Sequence, residues 1–99
     1  MSERTSWRVM REEILNRPGA GAAYEAARIR FELGEKVRLR REALGMTQAQ
    51  LAAATGMQQP AVARFESGGT MPTIVVLERF AEALGMRLMV ELEPLEKAG

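Results

Sequence analysis

The chain has 99 residues, of which 46% are hydrophobic and 27% charged, with a formal net charge of +1. That is enough for one compact domain, with the composition of an ordinary globular protein. Histidine and cysteine are both absent, which removes the commonest general base and metal ligand, any thiol nucleophile and any disulfide framework, so an enzyme, a metal site and a bound cofactor are not expected.

The first element is a short amphipathic helix over residues 6 to 15, capped by Ser6, with Trp7, Met10 and Ile14 at helical spacing. The stretch "MSERTSWRVMREE" is too charged for a secretory signal, and no run of eighteen apolar residues occurs anywhere. A cytoplasmic location without a membrane span is therefore expected. "NRPGAG", residues 16 to 21, stops the helix, because Pro18 lacks an amide donor and the glycines are permissive.

The longest helical pattern runs from about Gly21 to Leu44. Tyr24, Ala27 and Phe31 form one apolar stripe; Ile29, Leu33, Val37 and Leu44 form another that winds to the core side. Gly34 interrupts it, so two helices meeting there are compatible with the pattern. Gly45 ends it in the manner of a C′ glycine.

Thr47 can cap the next helix, and Gln50 completes a capping-box pattern. "QAQLAAAT" turns Leu51 and Ala52 inward and ends at Gly56. Pro60 then falls in the first turn of a second short helix, where its missing N–H costs little. Val62 and Phe65 face inward, and Gly68 and Gly69 end that helix. Pro72 and Thr73 open another, which Val76, Leu77, Phe80, Ala81 and Leu84 bury and Gly85 stops. From Met86 the period changes to two. Met86, Leu88, Val90 and Leu92 alternate with Arg87, Met89, Glu91 and Glu93, the pattern of one half-buried strand whose open edge needs a partner.

Charge is unevenly spread. Lys36, Arg38, Arg40, Arg41 and Arg64 face only Glu42 in the middle of the chain, and the balance turns acidic after Phe65. Such a basic middle is either a set of solvated helix faces or a surface that meets phosphate.

Two short helices joined through Gly56 make a helix-turn-helix with its second helix presented outward. The stretch "LRREALGMTQAQLAAATGMQQPAVARFESGGTMPTIVVLERFAEALG" closely resembles the Xre (lambda-repressor-like) helix-turn-helix family over roughly residues 35 to 85. Arg41, Gly45, Thr47, Gln48, Leu51, Ala52, Gly56, Gln59, Glu66, Gly68 and Pro72 all match its pattern. The resemblance implies a mostly α fold: a lambda-repressor-like helix-turn-helix bundle with an N-terminal helix extension and one C-terminal β-strand. The chain then divides into an N-terminal helical extension (1–34), the DNA-binding unit (35–85) and a C-terminal strand and tail (86–99).

The same resemblance implies roles. Gln58, Gln59, Ala61 and Arg64 would contact bases, since glutamine can bond adenine N6 and N7 and arginine guanine O6 and N7. Thr47, Gln48, Arg38, Ser67 and Thr70 would contact phosphates, Gln48 with help from the dipole of its helix. Arg40 is either phosphate-facing or solvated. Arg41 and Glu66 would form a structural salt bridge rather than touch DNA. Pro60 departs from the polar residue usual at its position, which removes one contact.

Only fourteen residues follow Gly85, too few for an effector-binding or cleavage domain. With the N-terminal extension, this layout is similar to the HigA group of antitoxins, which repress their own operon and neutralise a RelE/HigB-like RNA-cleaving toxin. The partners so implied are a palindromic double-stranded operator, a second copy of the chain and such a toxin. Trp7, Met10, Ile14 and Tyr24, among the acids Glu12, Glu13, Glu25 and Glu32, form the candidate toxin surface. Trp7 and Ile14 can equally pack on the long helix. A stand-alone phage or chromosomal repressor is the alternative reading.

Overall fold

A computed structural model of the chain describes residues 8–11 and 20–95. The helices α1 (Ala20–Ala43), α2 (Gln48–Thr55), α3 (Gln59–Glu66) and α4 (Ile74–Ala83) lie among the described residues. Residues 8–11 are also helical, within the helix expected over 6 to 15. Trp7, Ile14, Glu12, Glu13 and most of the proline-glycine linker lie outside the described residues. Ala20 and Gly21 belong to the first turn of α1 rather than to that linker.

The pattern left open whether the long helix breaks at Gly34. It does not: α1 runs unbroken through it, and Gly34 is buried. A Cβ there would overlap the carbonyl oxygen of Phe65 and lie 3.0 Å from that of Glu66. The glycine is therefore the place where the α1 backbone crosses the end of α3. Helix propensity alone would make Gly34→Ala stabilising by about 1 kcal/mol. Overlap with backbone that cannot swing aside should instead cost about 1–3 kcal/mol, read from the urea midpoint. A stabilised Gly34→Ala protein would contradict this crossing.

Gly34, Val37 and Arg41 set the inward side of α1, together with the fully buried Ala27. Ile29 lies roughly 140° around the helix from Gly34 at 100° per residue, and is 47% exposed. Leu44 falls in the turn beyond the helix and is also exposed. The second apolar stripe thus reaches the core only through Val37 and, in part, Leu33. Tyr24 and Phe31 are half-buried.

The core combines Val37 with Leu51 and Ala52 of α2, Val62 and Phe65 of α3, and Leu77, Phe80 and Leu84 at α4. The Phe65 and Phe80 rings meet at 4.9 Å between centroids, tilted by 60°, a favourable edge-on arrangement. α1 packs on α3, and α2 packs on both α3 and α4. Thr73 caps α4 by accepting a hydrogen bond from the Val76 amide at 3.2 Å. Val76 and Ala81 are only half-buried, so the weight of α4 rests on Leu77, Phe80 and Leu84.

After α4 the backbone is held twice. The Met86 amide donates to the Ala81 carbonyl at 2.8 Å, and Arg40 Nε donates to the Leu84 carbonyl at 2.9 Å. The strand expected over residues 86 to 92 does not form: residues 86–95 have no regular secondary structure. A strand is made by its ladder, and a lone period-two segment has no second strand among the described residues to complete one. Leu88 packs on the core, whereas Val90 is 69% and Leu92 100% exposed. No described helix is long and apolar enough to cross a membrane.

Candidate nucleic-acid interface

The tight junction between α2 and α3 follows from local chemistry. Thr47 Oγ1 accepts from the Gln50 amide at 3.0 Å, and Gln50 Oε1 accepts from the Thr47 amide at 2.8 Å, a complete capping box. After the eight residues of α2, Gly56 ends the helix at φ +71°, a left-handed conformation that costs a side-chain-bearing residue about 1–2 kcal/mol. Its amide donates to the Ala52 carbonyl, and Met57 and Gln58 lead directly into α3. Thr55, buried at the end of α2, turns its hydroxyl back onto the Leu51 carbonyl at 2.8 Å and needs no other partner.

α3 has two unlike sides. Val62, Phe65 and Glu66 are buried, while Gln58, Gln59 and Arg64 are exposed and Ala61 is half-buried. Gln58 occupies the N-cap position but makes no side-chain capping bond, and Pro60 sits within the first turn. The two glutamines therefore stand at the start of the helix with their amides unspent on the helix itself. Glutamine and arginine amides and guanidinium are the groups suited to base edges in a major groove, and a helix of this diameter fits there. Ser67 Oγ donates to the Arg64 carbonyl at 3.0 Å. Thr70 is exposed and lines a shallow apolar hollow with Met57, Ala61, Met71 and Pro72.

Behind α3 lies a buried polar cluster. Arg41 Nε and Nη2 donate to the two carboxylate oxygens of Glu66 at 2.6 and 3.0 Å, and Arg41 Nη1 donates to the Met46 carbonyl at 2.8 Å. Both side chains are buried. Hydrogen bonding to Glu66 raises the Arg41 pKa above its ordinary value, outweighing the burial that lowers it, and the charges of Glu66 and Glu42 add to the rise. The guanidinium thus stays charged at every working pH. Gln48 joins the cluster: its Nε2 donates to Glu66 Oε1 at 3.0 Å. One N–H of that amide and its carbonyl oxygen are left for a ligand at the N-terminus of α2. Residue spacing gave no sign of this link, because it joins positions on different helices.

The remaining basic residues are partly committed. Arg38 lies 3.3 Å from Glu42 and 3.9 Å from Glu35, so a phosphate there would compete with acids already present. Arg40 directs its Nε–H to the Leu84 carbonyl. Of the candidate toxin-contact residues, Met10 and Tyr24 are half-buried, and Trp7 and Ile14 lie outside the described residues. The acids beside Tyr24 are engaged: Arg28 bridges Glu25 at 2.8 Å and Glu32 at 3.0 Å. These hydrogen bonds raise the Arg28 pKa. Their three- and four-residue spacings are the sequence signal that would have disclosed them. Among the described residues no group of His, Cys, Asp or Glu could hold a metal ion.

Comparison with known proteins agrees with this geometry. Residues 37–89 match the family model described as Helix-turn-helix. An uncharacterized HTH-type transcriptional regulator of Haemophilus influenzae is 28% identical over 86 residues, covering 87% of this chain and 84% of that protein. No solved structure matches the chain.

Proposed function

We propose that the chain, which belongs to the helix-turn-helix family, is a repressor that reads a palindromic operator as a homodimer. The observation that carries this reading is the two-sided α3, anchored inside by Val62, Phe65 and Glu66 and presenting Gln58, Gln59 and Arg64 outside. A two-fold pair would set two such helices about 34 Å apart, one turn of DNA. Ala61, half-buried beside them, would pack against a thymine methyl. Thr47, Gln48, Ser67 and Thr70 would hold phosphates, with Arg38 in a lesser role because of Glu42. An enzymatic activity is not part of this reading.

The contacts divide into two testable kinds. Arg64→Ala should weaken binding to a preferred duplex by about 1–3 kcal/mol and leave scrambled duplex nearly unaffected. Gln48→Ala should weaken both alike, since phosphates carry no sequence information. Fluorescence anisotropy on the two duplexes at one salt concentration separates these outcomes. Equal losses for Arg64→Ala would remove it from the base-reading set.

We further propose that the regulator is the antitoxin of a type II pair, repressing its own operon and neutralising a RelE/HigB-like toxin. Supporting this finer reading are the resemblance of the flanks to HigA-type antitoxins and an N-terminal half of α1, bearing Tyr24, that precedes the matched family region. The test is co-expression with the adjacent open reading frame, scored by growth rescue and co-purification. Rescue and a stable complex support the antitoxin. A neighbour without toxicity or binding leaves a stand-alone phage or chromosomal repressor.

A further inference from the structure

We infer that residues 86–92 pair antiparallel with the same residues of a second copy about a two-fold axis at Met89. This rests on the proposed homodimer and specifies its surface and register.

The tail leaves α4 in a fixed place, held by the Arg40 and Met86 hydrogen bonds to the Leu84 and Ala81 carbonyls. Leu88 is half-buried on the core beside an apolar groove formed with Leu33, Val37, Ala81 and Leu84. The apolar residues around it are not covered: Met86 is 45%, Met89 62%, Val90 69% and Leu92 100% exposed. Arg87 and Glu91 are exposed and form no ion pair with a described residue.

What covers this edge is specified by self-complementarity. In an antiparallel pair, directly opposite side chains project to the same face. A two-fold axis between two residues would set the apolar face of one copy against the charged face of the other. An axis at a residue keeps the faces apart, and the three central positions are the ones that pair at least five residues of the segment with one another. At Leu88, Arg87 meets Met89 and Glu91 meets Gly85, so neither charge finds its opposite. At Val90, Arg87 meets Glu93, but Glu91 falls opposite Met89 and Pro94, which cannot donate to a ladder, opposite Met86. At Met89, Arg87 meets Glu91 on both sides of the axis, Leu88 meets Val90, and Met86 meets Leu92. Every residue of the segment has a matching partner only in this register, and opposite charges set across strands favour it. The second copy's Val90 and Leu92 then lie along Leu88 and Met86, extending the apolar face of the groove. The same pairing supplies the ladder that the lone tail lacks.

The chain has no cysteine, so one introduced thiol reports the axis. Full-length Met89→Cys, mildly oxidised, should run almost wholly as a disulfide-linked dimer. Val90→Cys should remain mostly unlinked, because a diagonal pair roughly 7–8 Å apart is too distant for a disulfide. Arg87→Glu and Glu91→Arg should each raise the dimer dissociation constant about tenfold by placing like charges opposite one another. The double exchange should restore it to within about threefold. Light scattering of the same samples separates the two layers of the argument. A monomer at concentrations that bind DNA would overturn the homodimer itself. A dimer that links through Val90→Cys, or that ignores both charge reversals, would overturn the register while leaving the homodimer standing.

Discussion

Glu66→Ala should lower the unfolding free energy by about 3–5 kcal/mol, the cost of leaving a buried charge without its partner. Glu66 accepts from Arg41 at 2.6 and 3.0 Å and from Gln48 at 3.0 Å. Without it, Arg41 keeps the Met46 carbonyl at 2.8 Å and an acid, Glu42, at 3.9 Å. The guanidinium does not lose its charge to escape, because arginine is protonated at every working pH even without a carboxylate partner. The helices α1 and α2 also lose the carboxylate on α3 that bonds the side chains of Arg41 and Gln48. The control is Glu42→Ala, whose pair with Arg38 is largely exposed and should be worth under about 1 kcal/mol. Urea unfolding of both variants gives the comparison. Equal losses would show that the Arg41–Glu66 pair is not desolvated in solution.

Phe80→Ala should cost a similar amount, about 3–5 kcal/mol, through lost burial and the cavity left behind. Its ring is 2% exposed and lies 4.9 Å from that of Phe65. Phe65 stands next to Glu66 on α3, so the cavity opens directly against the inner side of α3. Partial collapse into it would tilt α3, and operator affinity should fall along with stability. Ile74→Ala on the exposed side of α4, where the residue is 55% exposed, should change stability by only about 0.5 kcal/mol. Thermal melts of the two variants in parallel read the difference. A Phe80→Ala protein as stable as Ile74→Ala would mean that α4 does not close the core.

The features legible in the sequence are those made by neighbours in the chain. The capping box of Thr47 and Gln50, the glycine turn at Gly56, Thr73 at the start of α4 and the inward Leu51, Val62, Phe65 and Phe80 all depend on contacts within a few residues or on helical period. Gly34 was ambiguous for the opposite reason. Its neighbours describe a weak point in a helix, and its reason for being glycine is a carbonyl on α3. The Gln48–Glu66 bond, between residues 18 apart, was likewise invisible to spacing. The Arg41–Glu66 pair, 25 apart, was suggested by family resemblance and by no periodicity. The tail shows a different limit. Alternation states which side chains share a face, and it is silent on whether a second strand exists to pair with.

We propose that the outer face of α3 reads base edges in the major groove. Methylation interference on the duplex that the wild-type chain selects from a random pool tests it most directly, run in parallel with Arg64→Ala. Methylating guanine N7 blocks the acceptor that an arginine would use. The expected result is a two-fold symmetric preferred duplex, with wild-type binding lost on methylation of a guanine in each half-site and Arg64→Ala indifferent to that methylation. Failure to enrich any sequence, or the same interference pattern in both proteins, would contradict it.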